Sequence, residues 1–561
     1  MQEINVSELL VEKFKNNNLN FIFGILSSGF MELGDILYDT DIKYIGTRHE
    51  QWAGHIADVV GRLTGKPQIL LLPGGPGVTN SITAITAASI NHSPMFVLSD
   101  GSTSITSGKN DFQDIDGTRI TDHITKRSVT VNRPDRVNEY FSMLYNLAQT
   151  PLQGPVHMEI PRDILLMKTS YDMEVKNPAI LYNNYPSVET VKLVLNMIAN
   201  ATKPVLLLGE EINNPEGRGP LEEFIEKLRI PACSTHGNND VLNNSSKYML
   251  GAIGRLGSKR AMEVLRMADM VLVLGSSMNP YTFSPYYGFN YNEITNNIVQ
   301  ITMDPVNAGR NFTTFQNIIC NPVQFIKLAI QIIDSQEFNL KSSKYPNWYE
   351  SIDNMEPDIF HGTYNNKVFE ILFRKIPVKS NISLDAGSMS MVMLKWQKFG
   401  IHGRLLTSGN MGEVGFSISS SIGAKLAIPD TPSYAFMGDG SFTMQMSALI
   451  TAIEYDVPVK LIIFDNSAWG SEKAYQIAMY NNRFFGSNLK NPGIVKVARS
   501  LGAIGIEAND IGTLEHDIED LNSSDKPAVL VIKMENDFPT PVRSLDAVKR
   551  VYRGLYKEHH S

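Results

Sequence analysis

The chain has 561 residues, more than a single hydrophobic core accommodates, so several domains are expected. Its formal net charge of -8 gives no general electrostatic reason to bind nucleic acid or an anionic membrane, so neither is an expected partner. The two cysteines, Cys233 and Cys320, cannot form a disulfide framework and have no zinc-ligand spacing, which favours a reducing, cytoplasmic compartment.

The N-terminal segment MQEINVSELLVEKF has no basic region followed by a continuous apolar run, as an export signal would, and its apolar spacing predicts an amphipathic helix. Other apolar runs, such as Gln68–Leu72 and Met270–Leu274, have the length of strands. They are far shorter than the ~20 residues that a membrane-spanning helix needs, so no span is expected.

Three stretches of the chain share one pattern, in which short apolar runs lead into Gly-rich or polar turns and then into helical spacing. This pattern predicts an α/β protein with three doubly wound parallel sheets, each covered by helices on both faces. The first domain is predicted at residues 1–172, with a helix from Gln51 to Thr64 and strands in LNFIFGI, IKYIG, KPQILLLPGGPG, SPMFVLSDG and GPVHMEIPRD.

The second and third domains follow polar linkers. A linker at residues 175–187 precedes a middle α/β domain at 188–335, with strands predicted in KPVLLLGEEI, ADMVLVLGSSM and NIVQITMDP. A second linker, DSQEFNLKSSKYPN, precedes a third domain at 365–555, with strands predicted in ISLDAG, SYAFMGDGS, VKLIIFDNS and AVLVIKME.

Two strands of the predicted third domain end in oxygen-bearing residues. One ends in GDG (438–440), which is followed by Ser441, and the next ends in DN (465–466), with 24 residues between GDG and DN. Ligands bind at the carboxyl ends of parallel strands, where glycines let backbone N–H groups approach a phosphate. An aspartate there would repel a bare diphosphate, but Mg²⁺ accepts oxygens from both. A lone GDG is often only a turn, whereas the two segments together predict Asp439 and Asn466 as magnesium ligands.

The two segments resemble the cofactor-binding motif of thiamine diphosphate (ThDP) dependent enzymes, in which GDG is followed after a similar interval by two asparagines. Asp465 replaces the first of these asparagines. The resemblance implies that Asp439, Asn466 and the carbonyl of Ala468 hold Mg²⁺. It also implies that the cofactor contacts further residues of the first segment, Gly438, Gly440 and Ser441.

Residues 48–85, beginning RHEQWAGHIADVV, resemble the pyrimidine-binding domain of the acetolactate synthase-like superfamily. The resemblance places Glu50 opposite N1′ of the cofactor's aminopyrimidine, where an acid in nonpolar surroundings holds a proton. The alternative is a solvated carboxylate at a helix start, which the helix dipole favours. With the third-domain motif present, a functional Glu50 is the favoured interpretation.

Two further segments match regions that hold the cofactor in this family. LLTSGNMGEVGFSISSSIGAK (405–425) places Val414 as an apolar wedge under the bent cofactor and the Gly412 carbonyl beside its 4′-amino group. DAGSM (385–389) places Gly387 and Ser388 near the diphosphate. Any of these residues could instead serve packing alone.

The resemblance runs over nearly the whole chain and, within the superfamily, is strongest to the sulfoacetaldehyde acetyltransferases, through residues 250–291 and 465–485. It implies conversion of sulfoacetaldehyde and phosphate into acetyl phosphate and sulfite. An acetolactate synthase-like or 2-oxoacid-decarboxylating enzyme is the alternative. A noncatalytic protein of this fold is disfavoured because Glu50, Asp439 and Asn466 occur together.

The residues after the metal segment are candidates for substrate recognition. Ser471, Glu472 and Tyr475 occupy positions that are apolar or Trp in acetolactate synthases, so a polar pocket is expected. Lys473 and Arg483 are candidates for sulfonate or phosphate, because bound anions need fixed cations. The alternative is a solvated helix face with an ordinary Glu-Lys pair.

The first domain adds candidates from a second subunit. Phe112 and Gln113 match a family motif that reaches the partner's active centre, where Gln113 would orient a substrate oxygen. Lys126 occupies the position of a pocket lysine in acetolactate synthases. The resemblance therefore implies a homodimer as the smallest active unit, or a homotetramer.

Three features depart from the acetyltransferase pattern or leave a role open. Glu413, in NMGEVGF, is an unusual neighbour for a sulfonate, and the tail FPTPVRSLDAVKRVYRGLYKEHH does not match cleanly. The middle domain has no clear FAD fingerprint, since LGEEINNPEGRG is too weak a signal.

Overall fold

The computed structural model describes residues 2–171, 184–254, 257–283, 297–335, 346–355, 363–396, 398–400 and 403–536. It contains three six-stranded parallel sheets flanked by helices and one small antiparallel sheet, which confirms the predicted fold class. Each strand predicted from an apolar run is present. Residue 172, most of both predicted linkers, parts of 250–291 and the C-terminal tail lie outside the described residues, and the domain boundaries stay predictions.

The first domain is built on a sheet with strand order β3-β2-β4-β5-β7-β6. Its strands are β1 Gln2–Asn5, β2 Phe21–Gly24, β3 Lys43–Gly46, β4 Gln68–Leu72, β5 Met95–Gly101, β6 Ser128–Thr130, β7 Pro155–Pro161 and β8 Lys168–Tyr171. Its helices are α1 Val6–Asn16, α2 Met31–Tyr38, α3 Glu50–Thr64, α4 Pro76–Ile90, α5 Gly117–Thr121, α6 Val137–Gln149 and α7 Arg162–Leu166.

The start of the chain differs from the predicted uninterrupted helix. Residues 2–5 form β1, which pairs antiparallel with β8, and α1 begins only after Asn5. Asn5 and Glu8 form a capping box at that point, each side chain accepting the other residue's backbone N–H at 2.7 Å. The cap and the strand pairing together stop the helix from extending to the N-terminus.

The middle domain has strand order β11-β10-β9-β12-β13-β14. Its strands are β9 Pro204–Leu208, β10 Ala232–Ser234, β11 Met249–Ala252, β12 Met270–Leu274, β13 Ile298–Thr302 and β14 Gln316–Ile319. Its helices are α8 Val188–Asn200, α9 Arg218–Leu228, α10 Lys259–Met267, α11 Pro280–Phe283, α12 Pro322–Asp334 and α13 Pro346–Asp353. Helix α13 follows the predicted end of the domain at residue 335, and its Trp348 and Ile352 are buried in this domain's core.

The third domain has strand order β16-β15-β17-β18-β20-β19. Its strands are β15 Asn381–Leu384, β16 Arg404–Thr407, β17 Ser433–Gly438, β18 Lys460–Asp465, β19 Ile504–Ala508 and β20 Ala528–Lys533. Its helices are α14 Tyr364–Lys375, α15 Ser388–Trp396, α16 Ser417–Ala427, α17 Asp439–Gln445, α18 Ser447–Glu454, α19 Gly470–Met479, α20 Ile494–Leu501 and α21 Leu514–Ser523.

The first and third domains share one apolar core across the helices α3 and α16. Trp52 and Ile56 of α3 belong to the same buried cluster as Ile418 and Ile422 of α16. The Trp52 indole N–H also donates to the Ser447 hydroxyl at 2.9 Å. These contacts hold the start of α3 against the third domain.

None of the described helices combines the length and apolar composition that crossing a membrane requires.

Candidate functional site

A cavity of about 750 Å³ lies at the carboxyl ends of β15, β16, β17 and β18. Because neighbouring parallel strands end at the same edge of a sheet, four loops that are distant in sequence meet there. The cavity is lined by most of the residues predicted to contact a cofactor, namely Gly387, Ser388, Gly412, Val414, Gly438, Gly440, Ser441, Asn466 and Ala468. Their roles are not tested by this geometry, but the fold brings them together.

The side chains of Asp439 and Asn466 and the carbonyl oxygen of Ala468 meet beside this cavity. The side-chain amide oxygen of Asn466 lies 3.2 Å from Asp439 Oδ1 and 3.0 Å from the carbonyl oxygen of Ala468. Either the amide turns over and donates its N–H to both oxygens, or a cation lies among the three. With a cation present, the amide oxygen would face Asp439 and Ala468, and Asn466 Nδ2 would still donate a hydrogen bond to Asn536 Oδ1 at 3.1 Å. An all-oxygen set with one carboxylate fits a hard divalent cation such as Mg²⁺.

The Asp439 carboxylate is fully buried and is held by neighbours that the sequence did not reveal. Burial raises the pKa of Asp439, and nearby Asp465 raises it further, while a hydrogen bond from the Asn491 amide lowers it. Asp465 forms an ion pair with Lys533. The carboxylate that replaces a motif asparagine is therefore charge-compensated at the strand end.

Asp385, at the end of β15, fixes the loop that contains Gly412 and Val414. Its carboxylate accepts hydrogen bonds from Gln445 Nε2 at 2.7 Å and from the Ser417 hydroxyl at 2.9 Å. It also accepts from the backbone N–H groups at the start of α16, those of Gly415, Phe416 and Ser417, at 2.9, 3.0 and 2.9 Å. A buried carboxylate at a helix N-terminus satisfies donors that have no partner within the helix.

Two glycines explain how the backbone borders the cavity. Gly412 has a φ of 67°, in the left-handed region where a side chain would add strain. A Cβ atom on Gly440 would lie 2.8 Å from the Trp469 ring. Ser388 closes the same wall, with its hydroxyl 3.0 Å from that of Ser471.

Glu50 is the first residue of α3 and is 7% exposed, which argues against the alternative of a solvated carboxylate at a helix start. The Asn80 amide donates to Glu50 Oε2 at 2.9 Å. Glu50 is not among the residues that line the cavity of the same chain.

Phe112 and Gln113 lie on an exposed loop of the first domain and do not line the cavity of their own chain. Gln113 has a φ of 58°, and its side-chain oxygen accepts a hydrogen bond from the Arg162 guanidinium. Arg162 Nε lies 3.5 Å from a carboxylate oxygen of the fully buried Asp100. The guanidinium carbon lies 5.8 Å from the centre of the Phe112 ring. Arg162 thus holds both predicted residues.

The candidate substrate residues after β18 fall into two groups. Ser471, Glu472 and Tyr475 line the cavity, as the predicted polar pocket requires. Lys473 and Arg483 do not: the Lys473 ammonium lies 5.2 Å from the centre of the Phe484 ring, and Arg483 lines a second cavity of about 720 Å³. The described residues around the main cavity include no lysine or arginine.

Lys126, predicted from the sequence as a pocket residue, makes three hydrogen bonds within its own domain. Its ammonium donates to the Thr150 carbonyl at 2.8 Å, the Thr150 hydroxyl at 2.7 Å and the Leu152 carbonyl at 2.8 Å. These three bonds use all three N–H donors of a lysine. Burial lowers the pKa of Lys126 to about 8. The side chain stabilises the loop before β7.

In the middle domain, the change of winding direction lies between β9 and β12, where open sheets of this kind bind dinucleotides. Two glutamates lie at this point. Glu210 accepts from the Ser277 N–H and hydroxyl at 3.0 and 2.9 Å, and Glu211 accepts from the Thr302 hydroxyl at 2.6 Å. Burial raises the pKa of Glu211 to about 8.

The two cysteines form no disulfide with each other. Cys233 and Cys320 are both free and buried. Within the described residues, no group of three or more His, Cys, Asp or Glu side chains could hold a metal ion, so the oxygen set around Asn466 is a site of a different kind.

Family models match all three domains of the chain. They are the thiamine pyrophosphate enzyme N-terminal TPP binding domain at residues 4–120, the central domain at 191–328 and the C-terminal TPP binding domain at 385–532.

The chain is also similar to curated enzymes over nearly its whole length. A sulfoacetaldehyde acetyltransferase from Castellaniella defragrans is 27% identical, and one from Alcaligenes xylosoxydans xylosoxydans is 26% identical, each over 99% of this chain and 97% of the relative. A probable acetolactate synthase large subunit from Methanococcus aeolicus is 26% identical over 94% of this chain and 91% of the relative.

Proposed function

Because this chain belongs to the thiamine pyrophosphate enzyme family, we propose that it binds ThDP and Mg²⁺ in the third-domain cavity and converts sulfoacetaldehyde and phosphate into acetyl phosphate and sulfite. The observation that carries the cofactor site is the oxygen set of Asp439, Asn466 and Ala468 at the edge of a cavity lined by the predicted cofactor residues. The two acetyltransferase relatives support the substrate.

Each end of the cofactor has candidate partners in this chain. Asp439, Asn466 and the Ala468 carbonyl would hold Mg²⁺ against the diphosphate, and the Ser388 and Ser441 hydroxyls would donate to its oxygens. The Gly412 carbonyl and the Val414 side chain would orient the aminopyrimidine. When bound, ThDP supplies a carbon nucleophile and an electron sink for breaking a bond next to a carbonyl group.

Glu50 of a second copy would hold a proton at the aminopyrimidine. Its burial and the hydrogen bond from Asn80 place one carboxylate oxygen in a fixed, mostly dry setting. A positioned acid of this kind contributes to proton transfer without moving. The reacting centre would then lie between the third domain of one chain and the first domain of another.

The substrate end of the cavity is polar. Ser471, Glu472 and Tyr475 provide hydroxyl and carboxyl groups, while sulfonate and phosphate need a fixed cation. Since the described lining has no lysine or arginine, the cation would come from the second copy, where Arg162 lies beside Phe112 and Gln113. Covering the cavity in this way would also exclude water, which competes with phosphate for the acetyl group.

The second candidate is an acetolactate synthase-like enzyme, because a relative of that name is as similar in identity as the acetyltransferases. Incubation with ThDP and Mg²⁺, and with either sulfoacetaldehyde plus phosphate or pyruvate, separates the two functions. We expect sulfite and acetyl phosphate from the first mixture. Release of CO₂ from pyruvate, with no sulfite from sulfoacetaldehyde, would reject the acetyltransferase. The Asp439→Asn variant serves as the control for cofactor dependence.

A further inference from the structure

Glu413 is a buried acid that the proposed function does not use. Its side chain is 6% exposed, and its chain neighbours Gly412 and Val414 both line the cavity. Neither carboxyl oxygen has a hydrogen-bond partner among the described residues. A buried carboxylate without a donor or a cation is unfavourable as an ion, so this environment favours the neutral acid.

A histidine of the first domain lies close to Glu413. His55 Nδ1, in α3, lies 3.9 Å from Glu413 Oε1 and has no hydrogen-bond partner of its own among the described residues. His55 is fully buried, and burial lowers the pKa of its ring to about 3. The ring packs edge-on against Phe416, with centroids 5.4 Å apart. His55 is thus a neutral partner for Glu413 and does not supply a positive charge.

The charged groups around Glu413 do not favour its ionised form. Burial is the largest cause that raises the pKa of Glu413, to about 8; its own backbone N–H lowers it, and Asp58 and Asp385 raise it further. The Ser408 hydroxyl acts in the opposite direction but makes no hydrogen bond of normal geometry. The nearby cation, Arg62, is paired with Asp58 at 2.8 Å. Glu413 therefore keeps its proton at neutral pH.

We propose that Glu413 is a positioning residue, a neutral acid whose burial keeps the cavity-lining segment 412–414 packed against α3 and which releases that segment on ionisation. The contact joins a wall of the cavity to the helix that begins with Glu50. As a carboxylate, Glu413 would be repelled by Asp58 and Asp385 and would gain free energy by moving toward water. The effect of Glu413 ionisation on cofactor binding rests on the proposed function. The protonation of Glu413 in the folded protein does not depend on that function.

Thermal unfolding of the cofactor-free, full-length protein between pH 5 and pH 8 tests the protonation of Glu413. With its pKa raised in the fold, Glu413 keeps a proton that the unfolded chain has already released, so its presence lowers stability as the pH rises through this range. The Tm of Glu413→Gln relative to the natural protein should therefore increase by roughly a few degrees from pH 5 to pH 8. A difference that does not change with pH would overturn the proposal.

Two further variants make this comparison specific. Glu413→Met also removes the titrating group and should show the same pH-dependent gain, so it decides the question if Glu413→Gln does not fold. Glu454→Gln is the matched control, because Glu454 lies at the same contact between domains 1 and 3 in an exposed ion pair with Arg48 at 2.7 Å. Its Tm difference should stay constant from pH 6 to pH 8. If the Tm difference of Glu454→Gln rose with pH as much as that of Glu413→Gln, the pH dependence would come from the contact between domains 1 and 3. That result would overturn the proposal.

Calorimetric titration of each protein with ThDP in the presence of Mg²⁺ tests the link to the cofactor. Between pH 7 and pH 9 the neutral fraction of an acid with a pKa of about 8 falls by about tenfold. The affinity of the natural protein, divided by that of Glu413→Gln, should fall by about the same factor. A constant ratio would overturn the role in positioning. If neither protein binds ThDP, the proposed function fails, while the unfolding data still decide the state of Glu413.

Discussion

Asp465 departs from the cofactor-binding motif, and its surroundings compensate the additional negative charge. Its carboxylate is paired with Lys533, and the Asn491 amide lies 3.4 Å from it while donating to Asp439. The extra negative charge is thereby compensated locally. Neither Lys533 nor Asn491 belongs to the motif, so only the spatial arrangement reveals why an aspartate is tolerated here.

Glu50→Gln should abolish turnover while leaving the affinity for ThDP within about tenfold, because the amide keeps the size of the side chain but cannot hold the proton. Steady-state kinetics and calorimetric titration of the same preparation measure both quantities. An unchanged kcat would reject the role of Glu50.

Asp439→Asn should weaken Mg²⁺-dependent ThDP binding by at least ~10-fold, because it removes the one carboxylate from the set of three oxygens. ThDP titrations at several Mg²⁺ concentrations measure the effect. Asp430→Asn makes the same change at an exposed position and should bind normally. Equal binding by both variants would contradict the metal site.

At the scale of the element, the loop before α5 depends on one arginine from the start of α7. Arg162 joins Gln113 and Phe112 to the buried Asp100, at the carboxyl end of β5. Since the Gln113 oxygen is already occupied, its amide N–H groups are the donors that remain for a substrate oxygen. The loop is therefore oriented by a buried charge in the sheet.

Arg162→Gln should reduce kcat/KM by ~10–100-fold, because Gln113 loses its fixed orientation and the proposed anion site loses its cation, while ThDP affinity stays near that of the natural protein. Arg136→Gln, which breaks an exposed ion pair with Glu139 at 2.6 Å, is the matched control and should leave both quantities unchanged. Equal kinetics of the two variants would show that Arg162 does not position the loop.

The middle sheet leads to a spectroscopic prediction. Glu210 and Glu211 occupy its switch point, and the carboxylate of Glu210 is an unfavourable neighbour for the diphosphate of a dinucleotide. We expect the purified protein to show no flavin absorbance in the visible range. A flavin spectrum that persists through gel filtration would contradict this expectation.

At the scale of the whole molecule, the two halves of the proposed site lie in different domains. Glu50 does not line the cavity of its own chain, and the proposed assembly is a homodimer or homotetramer that brings domain 1 of one chain to domain 3 of another. Such an arrangement makes each centre depend on two chains.

Mixing subunits of Glu50→Gln with subunits of Asp439→Asn should therefore restore activity. In a mixed dimer, one centre carries both changes and the other carries neither, so random reassociation should return about a quarter of the natural activity. Activity of the refolded mixture, compared with each variant refolded alone, provides the measurement. No recovery despite mixed dimers in mass spectrometry would place the whole site within one chain.

The central strands could be predicted from the sequence, whereas most edge strands could not. The strands β4, β5, β17 and β18 each contain four consecutive apolar residues, because these strands are covered on both faces. The missed strands include β6, β11, β14, β16 and β19, which have a neighbour on only one side. With less apolar surface to bury, an edge strand has a weaker pattern.

Some features of the candidate site could likewise be predicted from the sequence, whereas others depend on the tertiary structure. Local sequence predicted the proposed oxygen ligands after β17 and β18 and the glutamate at the start of α3, because strand ends and helix starts are set by nearby residues. Tertiary structure alone decided the pairing of Asp465 with Lys533, the use of Lys126 within its own loop and the unpaired environment of Glu413. Charge and hydrogen bonding depend on which segments meet in space, and those segments are far apart in the chain.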